Sequence, residues 1–225
     1  MLGFYDYTVI LTYLSLGSSM LGIFLTFSGH LHLAITCLAI SGLLDTFDGK
    51  VARTKKNRTE EEKRFGIQID SLCDVICFGV FPTIICYYTG MRKLPGLLIL
   101  VFYCLAGLIR LAYFNVMEER RQQETTENRK YYQGLPITTI AVILPLVYVS
   151  SSLYPRFFIP VLHLVMLLTG ILFIVRFRVR KPNNKEIALL IGIVAVAVIY
   201  ILIWFRWKSC VSIWKSMIGF FKGCP

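Results

Sequence analysis

Asp45-Thr46-Phe47-Asp48-Gly49-Lys50-Val51-Ala52-Arg53 and Gly66-Ile67-Gln68-Ile69-Asp70-Ser71-Leu72-Cys73-Asp74 are the two stretches around which this chain is organised. Each belongs to a segment apolar enough to enter a bilayer, yet together they carry four carboxylates. An ionisable side chain inside a membrane helix costs several kcal/mol even on lenient scales, so it marks function unless packing accounts for it. The spacing sharpens the case. Asp45 and Asp48 stand i, i+3 on one helical face, and Gly49 and Ala52 continue the stripe. Gly66, Asp70 and Asp74 stand i, i+4, i+8 on the next helix. Capping explains one Asp at a helix start, not two pairs in register.

Depth follows from the same runs. Let the first helix leave the membrane near Arg53 and the next enter near Gly66. At about 1.5 Å per residue, Asp48 and Asp70 then lie roughly 6–8 Å inside, and Asp45 and Asp74 roughly 12 Å. Antiparallel neighbours pair Asp48 with Asp70 and Asp45 with Asp74, in one pocket just below the surface. Four negative charges there cannot stay dry and unpaired. Protons or cations must offset them, and an all-oxygen ligand set suits Mg²⁺, Mn²⁺ or Ca²⁺ rather than zinc. Two divalent ions would balance the formal charge, and paired metals recur where phosphoryl groups are transferred.

Of the 225 residues, 56% are hydrophobic and only 16% charged, which points to a polytopic membrane protein with no soluble domain left over. The start, Met1-Leu2-Gly3-Phe4-Tyr5-Asp6-Tyr7, has no basic n-region, so no cleaved signal peptide is expected. A net charge of +11 would suggest nucleic acid in a soluble protein. Here the basic residues lie between apolar spans without an RNA- or DNA-binding motif, so topology and anionic lipid explain them and no nucleic-acid partner is expected. The seven Cys form no CxxC pair and read as small buried side chains in a reduced setting. His30, His32 and His163 have no ligand-like company.

Seven spans are expected, at about residues 8–27, 31–53, 66–88, 94–116, 135–151, 157–177 and 186–205. The polar stretch Thr54 to Phe65 reads as a surface loop, and residues 117–134 as a charged segment. The loops after the second, fourth and sixth spans hold fourteen Lys and Arg, those after the third and fifth only three. The positive-inside rule therefore puts the N-terminus and the Asp pocket on the cytoplasmic side. From Arg206 onward, Trp207, Trp214, Phe220 and Phe221 alternate with Lys208, Lys215 and Lys222, which fits either an interfacial helix or a marginal eighth span.

The two runs match the pattern DxxDGxxAR…GxxxDxxxD at all eight positions: Asp45, Asp48, Gly49, Ala52, Arg53, Gly66, Asp70 and Asp74. In this the chain resembles the CDP-alcohol phosphatidyltransferase family. Arg110-Leu111-Ala112-Tyr113-Phe114-Asn115-Val116, Tyr131-Tyr132-Gln133-Gly134-Leu135-Pro136 and the run from Asp70 to Pro82 are similar to the family's phosphatidylserine synthase branch. Two departures are present. The stretch between Arg53 and Gly66 is longer than the family's usual spacing, and Tyr113 stands where that branch has a second Arg. The resemblance covers about residues 8–180. It implies an all-α fold, a polytopic transmembrane bundle with a six-helix core and one or two further C-terminal helices. A membrane domain at residues 1–180 would precede an additional span and a basic, aromatic tail at 181–225.

The resemblance also implies an activity: transfer of the phosphatidyl group of CDP-diacylglycerol to the hydroxyl of L-serine, releasing CMP. Two divalent cations, Mg²⁺ or Mn²⁺, would be held by Asp45, Asp48, Asp70 and Asp74, with Asp74 also the general base. Gly49, Ala52, Arg53 and Gly66 would bind CDP-diacylglycerol, the small residues by admitting the nucleotide to the backbone. Close helix packing is the other reading of those glycines. Arg110, Asn115 and Lys130 are candidates for the serine carboxylate, while Arg110 reads equally well as a counter-ion to the Asp cluster. The family implies an integral membrane homodimer. Rival readings are another acceptor (glycerol 3-phosphate, inositol phosphate or a second lipid), a divalent-cation transporter and a structural scaffold. A phosphorylated acceptor calls for several basic side chains around the pocket, and a transporter leaves Gly49, Ala52 and Arg53 unexplained.

Overall fold

The computed structural model describes residues 7–52, 55, 59–124, 131–180 and 183–222. Helix α1 (Ile10–Phe27) buries Thr12, Ser15, Ser19, Gly22, Ile23 and Thr26, mostly small and hydroxylated side chains, against its neighbours. Such residues let membrane helices approach closely and hydrogen-bond across the gap. Ser15 and Ser41 hydroxyls lie 2.7 Å apart, and Ser19 donates to Ser41 Oγ at 2.9 Å, which ties α1 to α2 (Leu31–Ala52). The hairpin between them turns on Gly29 at φ +80°, a left-handed conformation that favours glycine.

Helix α3 (Glu60–Asp74), a π turn (Val75–Val80) and α4 (Phe81–Thr89) form one continuous rod. The loop expected as far as Phe65 is therefore shorter, because α3 begins at Glu60, six residues ahead of Gly66. A capping box sets that start: Glu62 N–H donates to Thr59 Oγ1 at 3.2 Å and Thr59 N–H to Glu62 Oε2 at 3.0 Å. Three glutamates in the first turn favour the positive end of the helix dipole. Helix α5 (Leu94–Glu124) likewise runs past Val116 into the segment expected to be merely charged.

Helices α6 (Ile140–Leu153) and α7 (Phe158–Ile174) complete the core of the bundle. The seven expected spans are all helical: five are long and apolar enough to cross a membrane, and Ile137–Ser151 and Phe158–Ile174 are shorter apolar helices. The chain is an integral membrane helical bundle. The β feature among the described residues is a short antiparallel ribbon of β1 (Tyr131–Gln133) and β2 (Arg178–Arg180), with Tyr132 opposite Val179. Gly134, at φ +73°, continues the pairing by donating its N–H to Phe177 O at 2.8 Å. The centre is apolar: Ile35, Leu38, Phe78, Phe81, Ile85, Met91, Leu144, Leu162 and Met166 are almost fully buried.

Helix α8 (Asn184–Lys222) packs on α2 and α6 and shows no break after Phe205. Phe205 stacks on His32 with ring centroids 4.6 Å apart, at the end of α2 remote from Asp48. Sixteen residues separate His32 from Asp48, about 24 Å along a helix. The backbone beyond Arg206 therefore continues past the end of the bundle opposite the aspartates, as part of the same helix and without a turn that would start an eighth span.

Candidate active site

The four aspartates converge from α2 and α3. The carboxyl groups of Asp45 and Asp74 are in contact, and those of Asp48 and Asp70 are in contact. These are the pairs expected from depth. One oxygen from each of Asp45, Asp70 and Asp74 lies within 4.8 Å of the other two. Opposed ligands of Mg²⁺ stand about 4.2 Å apart and those of Ca²⁺ about 5 Å, so a small closure of this trio would fit the smaller ion. Asp48 stands beside the trio at 9% exposure, which leaves its charge little access to water. The Thr12 hydroxyl donates to Asp48 Oδ2 at 3.2 Å, and the Gly49 N–H donates to the same carboxylate.

The residues present fit a divalent cation. Asp70 Oδ1 is buried and has no hydrogen-bond partner among the described residues. An orphaned carboxylate oxygen costs free energy that a cation would recover. The donor set is all oxygen and anionic, the chemistry hard cations prefer.

The remaining expected residues divide into three groups. Gly49 is exposed, and a Cβ there would meet no described atom within 4 Å. Close packing against the described residues therefore does not explain that glycine. Gly66 is half-buried on α3, and Ala52 is the last residue of α2. Asn115 faces α3, where the Ser71 hydroxyl donates to its Oδ1 at 2.9 Å. Arg110 stands on the same helix, only 8% exposed. Arg53 and Lys130 lie outside the described residues.

Sequence reasoning missed three neighbours. Thr12 and Ser71 bond to residues 36 and 44 positions away, which no local pattern announces. The guanidinium of Arg176, from the segment after α7, lies 5.6 Å from the centroid of the Tyr113 ring. An arginine thus stands over the position where the phosphatidylserine synthase pattern has its second Arg, delivered by another element.

The family described as CDP-alcohol phosphatidyltransferase matches residues 8–175. CDP-diacylglycerol–serine O-phosphatidyltransferase of Helicobacter pylori is 30% identical over 192 residues, which are 81% of this chain and 74% of that protein. The enzyme of the same name from Saccharomyces cerevisiae is 40% identical over 106 residues, 46% of this chain and 37% of the relative. Archaetidylserine synthase of Methanothermobacter thermautotrophicus is 34% identical over 143 residues, 63% of this chain and 57% of the relative. The matched stretch thus spans less than two thirds of the yeast and archaeal relatives.

Proposed function

Because this chain belongs to the CDP-alcohol phosphatidyltransferase family, we propose that it is a phosphatidylserine synthase, moving the phosphatidyl group of CDP-diacylglycerol to L-serine and releasing CMP. The observation that carries the reading is the meeting of Asp45 with Asp74 and of Asp48 with Asp70 at one end of a membrane bundle. Three relatives, two named as transferases to serine and one as a synthase of a serine lipid, support the acceptor.

The aspartates would hold two divalent cations, Mg²⁺ or Mn²⁺, which when bound neutralise the pyrophosphate and stabilise charge on the group transferred. Asp74 takes the proton of the serine hydroxyl as its oxygen attacks the phosphorus bearing the lipid, and the CMP phosphate oxygen leaves with the bond electrons. Thr12 and the Gly49 N–H hold the Asp48 carboxylate by hydrogen bonds. Gly49, Ala52 and Gly66 admit the nucleotide close to the backbone, where Arg53 meets a phosphate through its fork of donors. The acyl chains stay in the bilayer beside the helices.

Serine needs a cation for its carboxylate and donors to orient it. Arg110, Asn115 and Lys130 are assigned that role. With Oδ1 engaged by Ser71, Asn115 keeps its amide N–H pair for the ligand. The excess of Lys and Arg between the second and third, fourth and fifth, and sixth and seventh spans supports an active site facing the cytoplasm. Residues 1–180 form the catalytic domain, residues 181–225 an accessory span and tail, and the working unit is a homodimer.

The deciding experiment reconstitutes the full chain with CDP-diacylglycerol and measures CMP release with serine, glycerol 3-phosphate, inositol phosphate or no acceptor. Serine-dependent release that chelation stops supports the reading. Release driven by another acceptor, or cation flux without nucleotide, overturns it.

A further inference from the structure

The rod that carries Asp70 and Asp74 changes its winding directly after them. Between Val75 and Val80 it widens into a π turn, closed by the Phe81 N–H donating to Ile76 O five residues back. Pro82 follows at once and has no N–H to give. In an α-helix that donor would have served the carbonyl of Phe78, four residues earlier. The Phe78 carbonyl accepts instead from the hydroxyl of Tyr103 on α5, at 2.7 Å. Both side chains are fully buried, so no water is at hand to take either role. Tyr103 is held in place by the Phe173 ring, 5.4 Å away between centroids, and by the close approach of Gly170 to its backbone.

The π turn governs where the carboxylates point. Cys86 is fully buried in the core, and Asp70, sixteen positions earlier, meets Asp48 of α2. At about 100° per residue an unbroken α-helix would set these two positions roughly 160° apart. One inserted residue withdraws about 100° of that difference. The same rod thus buries α4 in the core and presents Asp70 and Asp74 to α2. A regular helix would carry Cys86 to the side opposite Asp70.

We infer that Tyr103 is a positioning residue for the acidic pocket: its hydroxyl supplies the donor that Pro82 lacks, holds the π turn, and so fixes the register of Asp70 and Asp74 against Asp45 and Asp48. Tyr103 touches neither substrate nor ion and acts wholly through the backbone at Phe78. The inference rests on the reading of the pocket as a cation site, and its test separates the two.

The full-length chain is purified as wild type and as Tyr103→Phe, which removes the hydroxyl and keeps the ring. Three quantities are measured: Mn²⁺ binding, from the resonance of free Mn²⁺; kcat and KM for CMP release; and the thermal midpoint. A fourth reads geometry without any metal. An Asp45→Cys/Asp74→Cys pair in the otherwise unaltered chain is oxidised, and the cross-linked peptides are identified by mass spectrometry. Tyr103→Phe is expected to weaken Mn²⁺ binding and lower kcat by roughly tenfold, the scale of one unsatisfied buried acceptor, with KM nearly unchanged and the thermal midpoint lowered, because the Phe78 carbonyl loses its donor inside the core. It is also expected to suppress the cross-link. Suppression of the cross-link in a chain whose wild type binds no Mn²⁺ supports the register inference and sinks the cation reading alone. Equal Mn²⁺ affinity and equal cross-linking in the two proteins overturn the inference. Pro82→Ala is the second variant. It returns an N–H to Phe78 O, so it is expected to fold at least as well while losing the cross-link and turnover; a stable Pro82→Ala with full cross-linking and turnover also overturns the inference.

Discussion

Thr12 and Asp48, 36 positions apart, meet at 3.2 Å, with the threonine hydroxyl donating to the carboxylate. Asp48 is buried, and a hydrogen bond to a charged group is worth about 1.5–3 kcal/mol. Thr12→Val keeps the shape and removes the donor. CMP release is expected to fall on the order of tenfold, since about 1.4 kcal/mol corresponds to one decade. Thr12→Ser, which keeps the hydroxyl, should restore most of the rate. Wild-type kinetics in the Val variant would separate Thr12 from the site.

Asp74 is the proposed general base, and general-base contributions run to about 10²–10⁴-fold. Asp74→Asn is nearly isosteric and should abolish measurable CMP release while the protein still extracts and elutes as wild type does. Asp45→Asn and Asp70→Asn should raise the concentration of Mg²⁺ needed for half-maximal rate, because each withdraws one ligand charge from the trio. Activity titrated against Mg²⁺ distinguishes the two kinds of effect.

Chelation of divalent ions should stop CMP release reversibly, and Mg²⁺ or Mn²⁺ should restore it. Zn²⁺ is expected to restore less, since the trio of Asp45, Asp70 and Asp74 offers only oxygen ligands. Full activity after exhaustive dialysis against a chelator would contradict the cation reading.

Two glycines on neighbouring helices should respond oppositely to alanine. At Gly22 a Cβ would collide with the Phe81 ring and stand 2.9 Å from Cys37 Cβ. Overpacking of that kind costs about 1–3 kcal/mol, so Gly22→Ala should lower the thermal midpoint. At Gly49 a Cβ meets no described atom within 4 Å. Gly49→Ala should therefore leave the midpoint unchanged or slightly higher, while raising KM for CDP-diacylglycerol. A Gly49→Ala protein with normal kinetics would remove that glycine from the CDP-diacylglycerol site.

Asn115 and Arg110 share α5 and are the proposed serine ligands. Asn115→Leu removes the amide and its link to Ser71, and should raise KM for serine roughly tenfold, about 1.4 kcal/mol, with KM for CDP-diacylglycerol little changed. Serine saturation curves at fixed CDP-diacylglycerol check this. Equal increases in both constants would point instead to a general loosening of α3 against α5.

Much of the pocket was legible in the chain itself. Helical rise is nearly constant, so counting residues inward from Arg53 and Gly66 was enough to pair Asp48 with Asp70 and Asp45 with Asp74. The apolar spans announced themselves for the same reason, since a bilayer demands length and hydrophobicity that a local window can measure. The start of α3 was misread because charged residues suggested a loop, although Thr59 and Glu62 already spell a capping box.

Local order was therefore written in the sequence: seven apolar helical segments, five of them long enough to cross a membrane, and four acidic side chains at matching depths. The fold alone decided what each carboxylate leans on and how its helix is turned. Thr12 reaches Asp48, Ser71 reaches Asn115, Tyr103 reaches Phe78, and Tyr131–Gln133 finds Arg178–Arg180. Every one of these joins residues at least 25 positions apart. Periodicity fixes the spacing of side chains along one helix, but the rotation of that helix against its neighbours depends on bonds between segments, and those form only when the bundle closes.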